Sequence, residues 1–179
     1  LGPENKLVFA TGILTGNPIP GTGRHSIGAK SPITGGYGDG EAGGFWGSEL
    51  KRAGFDLVIV EGKSEVPVYI TIKNGAAAIK NGEHLWGKTT GEVQQQLQRD
   101  EGNVRVAQIG PAGENLVKYA CVVHDLDHYV GRSGIGAVMG SKNLRAVTVS
   151  GSKTPELHNI EGVKKLTRYM GPVSYTHLT

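Results

Sequence analysis

The sequence predicts an α+β fold of mixed sheets, from three observations. Short apolar stretches typical of strands outnumber the helical patterns. Strands and helices do not alternate regularly, as they would in a doubly wound parallel sheet. Twice, a glycine-rich loop leads into a short helical run, an apolar strand and a closing glycine. We interpret this recurrence as an internal duplication whose two glycine loops form the base for one ligand, although two ordinary strand–helix turns would give the same spacing.

The strands are predicted from apolar runs bounded by turn-forming residues. One alternating run meets Asn74 and Gly75, which predicts a hairpin with the run that follows. Pro67 places the first hairpin strand at a sheet edge or near its own start. The predicted strands cover residues 7–10, 57–60, 66–72, 76–79, 104–109, 116–123 and 146–149.

Helices are fewer. The second predicted helix carries Val93 and Leu97 four residues apart, with glutamines on the opposite face. The third follows Asn159, a residue that caps helices well. The three predicted helices cover residues 45–53, 91–100 and 159–170.

A long polar segment, residues 15–44, is predicted as a loop interrupted only by residues 26–30. Loops of this length in compact domains are usually functional or disordered. Charged and histidine side chains embedded in the segment favour a function; they are Arg24, His25, Lys30, Asp39 and Glu41.

The composition excludes several classes of protein. The net charge of +3 comes without a basic run, so a nucleic-acid partner is not predicted. Cys121 is alone, which rules out an intrachain disulfide framework. The sequence has neither a signal peptide nor an apolar run long enough to span a membrane, so we expect no membrane partner and a cytoplasmic location. Glycine, at 29 residues, exceeds twice the usual share of about 7%.

The second glycine loop is the most informative segment. It begins at Gly131 and Arg132, continues through Gly134 and Gly136, and leads into a short helix and an apolar strand. Glycine lets a ligand approach the backbone closely, helix-start amides attract anions, and arginine grips phosphate with two donors. Arg24 has a similar glycine-rich setting, although a solvated loop arginine would look the same. The sequence therefore predicts a site for an anionic cofactor.

Residues 124–128, His-Asp-Leu-Asp-His, resemble a metal-binding cluster. On a strand, however, the histidines and the aspartates would point to opposite faces and could not converge. We therefore favour a turn that leads into the second glycine loop, with a histidine-ligated transition metal as the alternative.

Three segments, residues 43–56, 109–118 and 131–144, resemble in colinear order the N-terminal domain of the aldehyde ferredoxin oxidoreductase family. The resemblance extends over residues 3–154. It implies an α+β domain with an internal duplication that forms the base for a tungsten or molybdenum bis-molybdopterin cofactor. It also implies magnesium at the pterin phosphates, and a 4Fe-4S cluster held by domains absent from this chain. The implied activity is oxidation of a small-molecule aldehyde to a carboxylic acid, with ferredoxin as the electron-transfer partner.

The resemblance also assigns site residues. The family's glycine-loop arginine falls on Arg24, its first cofactor turn on Glu41, Ala42 and Gly43, and its second on His128, Tyr129, Val130, Gly131 and Arg132. Glu41 and Tyr129 fall at the magnesium bridge. No catalytic residue is implied within this chain. Glu41 replaces an asparagine and His128 an arginine of the family pattern, which changes the charge beside phosphate.

The domain organisation follows from the same resemblance. Residues 1–155 form the pterin-binding domain and residues 156–172 begin a helical domain. Residues 173–179 are expected to be a non-native tail, since residues 173–178 back-translate into a transposon end used in DNA library preparation. We expect a fragment that is inactive without the remaining domains of the same enzyme, with a homo-oligomer as an open possibility.

Three alternatives remain at this stage. The first is a family relative that acts on another substrate, by carboxylate or aromatic acyl-CoA reduction. The second is a noncatalytic phosphate- or nucleotide-binding module. The third is a purely structural fragment whose glycine loops bind nothing.

Overall fold

A computed structural model describes residues 1–177 of the chain, and their side chains as far as residue 172. Within this part, ten strands form two sheets. One is four-stranded, in the order β3 (Tyr37–Ala42), β2 (His25–Lys30), β1 (Leu7–Thr11) and β4 (Leu57–Val60). The other is six-stranded, in the order β6 (Ala76–Asn81), β5 (Val68–Lys73), β10 (Leu144–Ser150), β7 (Arg105–Gln108), β8 (Val122–His124) and β9 (His128–Val130). The prediction of an α+β fold with mixed sheets is confirmed.

The four-stranded sheet is antiparallel throughout. The helix α1 (Trp46–Arg52) leaves it after β3 and the chain returns as the edge strand β4.

The six-stranded sheet is mixed, because β10 runs parallel to β5 and antiparallel to β7. The other helices are α2 (Thr90–Glu101), α3 (Pro111–Glu114), α4 (Ile135–Ser141) and α5 (Ile160–His177), with a 3-10 turn at Glu83–Leu85.

One hydrophobic core joins the two sheets. Phe9 and Ile27 of the first sheet pack in the same buried cluster as Val147 of the second. Trp46 of α1 is fully buried in this cluster, and its indole Nε1 donates a hydrogen bond of 3.0 Å to the Val147 carbonyl. A second, smaller core lies under α2 and includes Leu97. The two sheets therefore form one packed unit.

The two glycine-loop segments have the predicted order of loop, helix and strand, as α1 with β4 and α4 with β10. Their strands occupy different places, however. β4 is an edge strand of the first sheet, whereas β10 lies in the interior of the second.

The predicted hairpin is confirmed as β5 and β6. Asn74 and Gly75 both have positive φ, at 45° and 92°, which is the backbone of a two-residue hairpin turn. The third predicted helix is also found, within α5. Thr167 on this helix donates a hydrogen bond to the Pro18 carbonyl. No helix in the described part of the chain is both long and apolar enough to cross a membrane.

Two predictions were wrong. The long polar loop over residues 15–44 contains the strand β3 in addition to β2, which matches the predicted interruption at residues 26–30. The strand predicted over residues 116–123 exists only from Val122, because the chain first forms α3 and then turns at Leu116, whose φ is 57°. Of the predicted non-native tail, residues 173–177 belong to the described backbone of α5, while residues 178–179 lie outside the described residues.

Candidate functional site

A polar cleft of about 610 Å³ opens where the four-stranded sheet meets the segment that follows β9. Two arginines, two carboxylates, two glycines and a tyrosine line it: Arg24, Arg132, Asp39, Glu41, Gly40, Gly131 and Tyr129. Both sheets contribute, so the cleft exists only because the two sheets pack together.

One wall of the cleft belongs to β2 and β3. Asp39 and Glu41 lie two residues apart and are exposed, while Gly38 and Ala42 on either side of them are buried, since alternate residues of a strand face opposite sides. Arg24 immediately precedes β2. Its guanidinium lies 3.5 Å from the Glu41 carboxylate, with both side chains more than half exposed. Such an exposed pair is weak and can rearrange around a ligand.

The other wall follows the hairpin of β8 and β9. Asp125 and Leu126 have positive φ, which confirms the predicted turn between the two histidines. Tyr129 stands beside it and donates a hydrogen bond of 2.8 Å to the Leu126 carbonyl. Among the described residues, no group of three or more histidine, cysteine or acidic side chains is placed to hold a metal ion.

Glycines bring the two walls together. A Cβ on Gly40 would lie 2.8 Å from Val130 Cγ1, and one on Gly38 would lie 2.6 Å from Ser133 Cβ. Ser133 Oγ also donates a hydrogen bond of 3.2 Å to the Asp39 carbonyl. β3 can therefore lie against the β9 segment only because it lacks side chains at these two positions.

The predicted site residues divide into two groups. Five of them share the cleft: Arg24, Glu41, Tyr129, Gly131 and Arg132. Ala42 and Val130 are buried in the core. Gly43 lies under the imidazole of His128, where a Cβ would come within 3.2 Å of the ring.

The helix α4 does not point its first amides at the cleft. All of its residues are buried, and the Gly136 amide donates a hydrogen bond of 3.0 Å to the Ala120 carbonyl. The expectation that this helix start binds an anion was therefore wrong. The groups that face the cleft are instead the arginines and the backbone near Gly131.

Sequence reasoning singled out Asp39 only as one of several polar residues of the long loop, and it missed Gly40 as a lining residue. Their signal was the alternation of acidic and small residues through Asp39, Gly40 and Glu41. It becomes readable only once this segment is recognised as a strand.

The cleft fits a phosphate-bearing ligand accompanied by a hard cation. Arg24 and Arg132 supply donors for phosphate, and Gly131 has open space where a side chain would stand. Asp39 and Glu41 would repel a bare anion, but carboxylate oxygens are suitable ligands for Mg²⁺. An anion together with a divalent cation would therefore complement the whole lining.

Comparison with known proteins identifies the family of the chain. Residues 1–151 match the model of the aldehyde ferredoxin oxidoreductase N-terminal domain. The chain is 50% identical over 156 residues to the tungsten-containing aldehyde ferredoxin oxidoreductase of Pyrococcus furiosus, covering 86% of this chain and 26% of that protein. It is 39% identical to the WOR-like subunit of an aliphatic sulfonate oxidoreductase of the same organism, covering 94% of this chain and 29% of that one.

A solved structure is also similar. It is the active site complex BamBC of benzoyl coenzyme A reductase, in complex with 1,5-dienoyl-CoA. The match has a TM-score of 0.82 and 43% identity, and covers 85% of this chain and 23% of that one. The chain thus spans about a quarter of the length of the relatives it matches.

Proposed function

The chain belongs to the aldehyde ferredoxin oxidoreductase family, and from this premise we propose that it is the domain of a larger oxidoreductase on which a tungsten pterin cofactor lies. The observation that carries the proposal is the cleft in which Arg24, just before β2 of one sheet, and Arg132, just after β9 of the other, line one space. Residues 1–155 would form this domain, and residues 156–172 would begin the next one.

The cleft residues would bind and orient the cofactor. Arg24 and Arg132 would bind its phosphates, and the bare backbone at Gly131 would let its ring system approach closely. Glu41 and Tyr129 would provide oxygen ligands to a magnesium ion. Its charge would offset the repulsion between Glu41 and the phosphates.

When bound, the metal–pterin group supplies two-electron chemistry that oxidises an aldehyde to a carboxylic acid. The electrons would leave through a 4Fe-4S cluster, held outside this chain, to ferredoxin in the cytoplasm. The residues of this domain seat the cofactor and provide no catalytic group, as is common for enzymes whose cofactor carries the reaction.

A different substrate is the second candidate, because relatives named for sulfonate oxidation and for benzoyl coenzyme A reduction also match the chain. Aldehyde oxidation is favoured by the higher identity to the aldehyde-oxidising relative, 50% against 39% for the sulfonate oxidoreductase subunit. The cleft itself does not discriminate between these substrates, since its residues would contact the cofactor.

The first experiment measures binding of pyrophosphate with MgCl₂ to the 179-residue chain by titration calorimetry. Arg24→Ala and Arg132→Ala should each weaken binding about tenfold, because each removes a charge-assisted contact worth roughly 1.5 kcal/mol. Arg99→Ala, on the exposed face of α2, is the matched control and should change nothing. Equal affinity in all four proteins would refute the assignment of the cleft.

A second measurement separates an oxidoreductase domain from a noncatalytic phosphate-binding module. The domain is expressed as part of a protein of the same length as its relatives. Bound tungsten is measured by mass spectrometry, and bound pterin by its fluorescence. We expect both groups in the unmodified protein and a loss of both in Arg24→Ala with Arg132→Ala. Pyrophosphate binding without any tungsten or pterin would favour the module.

A further inference from the structure

Two buried histidines, one of them adjacent in sequence to Arg24 of the cleft, contact each other. The Nε2 atoms of His25 and His124 lie 2.9 Å apart, within hydrogen-bond distance, and the two side chains belong to residues that are 2% and 1% exposed. Neither side chain was expected to contact the other, because the two residues are 99 positions apart. β2 and β8, which carry them, lie in different sheets.

The pair is enclosed by aromatic side chains. Trp46 packs against both imidazoles, with ring centroids 5.0 Å from His25 and 5.7 Å from His124. The Nδ1 atom of His25 has no hydrogen-bond partner among the described residues. Gly47 leaves the space for His25, since a Cβ there would lie 2.8 Å from His25 Cβ. Nδ1 of His124 likewise has no hydrogen-bond partner among the described residues, so the Nε2–Nε2 contact is the hydrogen bond that joins the two rings.

Burial keeps the pair neutral. It lowers the pKa of His25 to about 4, with a smaller contribution from nearby His128, and it holds the pKa of His124 well below its ordinary value. At neutral pH each ring carries one proton. One Nε2–H then donates to the lone pair of the other Nε2, which is a favourable contact between neutral groups in a dry environment.

The placement of the pair connects it to the cleft. His25 follows Arg24 directly in sequence, so whatever fixes His25 also fixes the start of β2. His124 ends β8 and begins the turn that leads through β9 to Arg132. The hydrogen bond thus ties the segment bearing one arginine to the segment bearing the other.

We propose that His25 and His124 are positioning residues whose mutual hydrogen bond holds Arg24 and Arg132 at the separation that the phosphate-bearing ligand requires. This inference rests on the proposed function of the cleft. It assigns a role to two side chains that never contact the ligand, because misplacing a binding group by about 1 Å is enough to lose much of its effect.

The test uses His25→Phe, His124→Phe and the double variant, which keep ring volume against Trp46 but remove the hydrogen bond. Pyrophosphate affinity in MgCl₂ should fall about tenfold in each single variant, and the double variant should be no worse than either, because one interaction is lost in all three. His124→Gln, whose amide can still meet His25 Nε2, should restore most of the affinity.

Controls separate positioning from general stability. Leu97→Ala empties part of the second core and should lower the unfolding midpoint while leaving pyrophosphate affinity unchanged. In the unmodified chain, ¹⁵N spectra of the imidazoles should show two neutral rings of His25 and His124 at pH 7, one of them protonated at Nε2. If a phenylalanine variant does not fold, the pyrophosphate affinity of His124→Gln still tests the positioning role.

Two results would overturn the proposal. Phenylalanine variants that bind pyrophosphate normally, while Arg24→Ala does not, would refute the positioning role and leave the cleft intact. Strictly additive losses in the double variant would show that the two histidines act separately. If Arg24→Ala also binds normally, the proposed function itself fails, and the positioning role fails with it.

Discussion

At the scale of single residues, Glu41 is the feature that most distinguishes this cleft from a purely cationic phosphate site. Its carboxylate pairs with Arg24 at 3.5 Å, so a phosphate must compete with a group that the protein itself provides. A second carboxylate, Asp39, lines the same space. The cleft therefore combines attraction and repulsion for an anion, and its preference depends on whether a divalent cation is present.

Glu41→Asn should raise pyrophosphate affinity about threefold to fivefold when Mg²⁺ is absent, because an exposed ion pair is worth up to about 1 kcal/mol. With Mg²⁺ the advantage should disappear, since the variant loses a ligand of the ion. Calorimetric titrations with and without MgCl₂ measure both effects. Glu61→Gln, which breaks an equally exposed pair with Lys6, should leave both affinities unchanged. If the unmodified chain binds pyrophosphate equally well with and without Mg²⁺, the magnesium assignment is contradicted.

At the scale of elements, the contact between α3 and α4 depends on glycine. A Cβ on Gly140 would lie 2.0 Å from the Gly113 carbonyl oxygen, a distance that no rotamer change can relieve because backbone is involved. Gly136 is similarly close to the backbone of Ala120. The two helices therefore meet backbone against backbone, and this contact sets where α4 leaves the second glycine loop.

Gly140→Ala should destabilise the chain by about 3 kcal/mol, because overpacking a rigid contact costs roughly 1–3 kcal/mol or more. Gly91→Ala is the matched control. It also lies in a helix, with nothing within 4 Å of the added methyl group, and should stabilise by about 0.5 kcal/mol. Urea unfolding of both variants checks the difference, and a neutral Gly140→Ala would show that α3 and α4 can separate.

The elements also show what sequence could and could not predict. The apolar strands, the Asn74-Gly75 hairpin and the helix after Asn159 were predictable, because their patterns are local. β3 was not, since its sequence of Tyr37-Gly-Asp-Gly-Glu-Ala has little intrinsic preference for a strand. It is a strand because Gly38 and Gly40 allow contact with residues around position 130, and such tertiary information is absent from a local pattern.

The same reasoning applies to the candidate site. Arg24, Glu41, Tyr129, Gly131 and Arg132 were predicted together through family resemblance, and the cleft contains all five. The contact between His25 and His124 was found only in the structure. Residues 124–128 suggested a metal cluster because a local pattern shows only neighbours along the chain. The actual partner of His124 is His25, 99 positions earlier.

At the scale of the whole molecule, stability should depend on pH in two windows. His25 has its folded pKa lowered from 6.5 to about 4, so the unfolded chain binds a proton first as pH falls, and stability drops between these values. Glu101 has its folded pKa lowered from 4.5 to about 2. Burial opposes this shift, but hydrogen bonds from Lys73 and Lys80 outweigh it, and this contribution is lost between pH 4.5 and 2.

Each window should amount to about 2–3 kcal/mol of unfolding free energy. Urea titrations from pH 8 to pH 3 measure the upper window fully and the lower one in part. The double variant His25→Phe with His124→Phe should flatten the upper window, and Glu101→Gln should flatten the lower one. Glu161→Gln, in an exposed pair with Lys164, should leave the whole profile unchanged. A profile that stays flat between pH 6.5 and 4 in the unmodified chain would contradict a buried neutral His25.

The indole of Trp46 has a further consequence for how the molecule is made. It fills the core beneath the first sheet, yet its hydrogen-bond acceptor, Val147, is 101 residues later in the chain. During synthesis the first sheet therefore stays incompletely packed until β10 has left the ribosome. Contacts this distant in sequence also slow folding. Binding of any ligand in the cleft must follow that moment, since both walls of the cleft exist only in the finished fold. A stalled or shortened nascent chain would expose the Trp46 surface to chaperones instead.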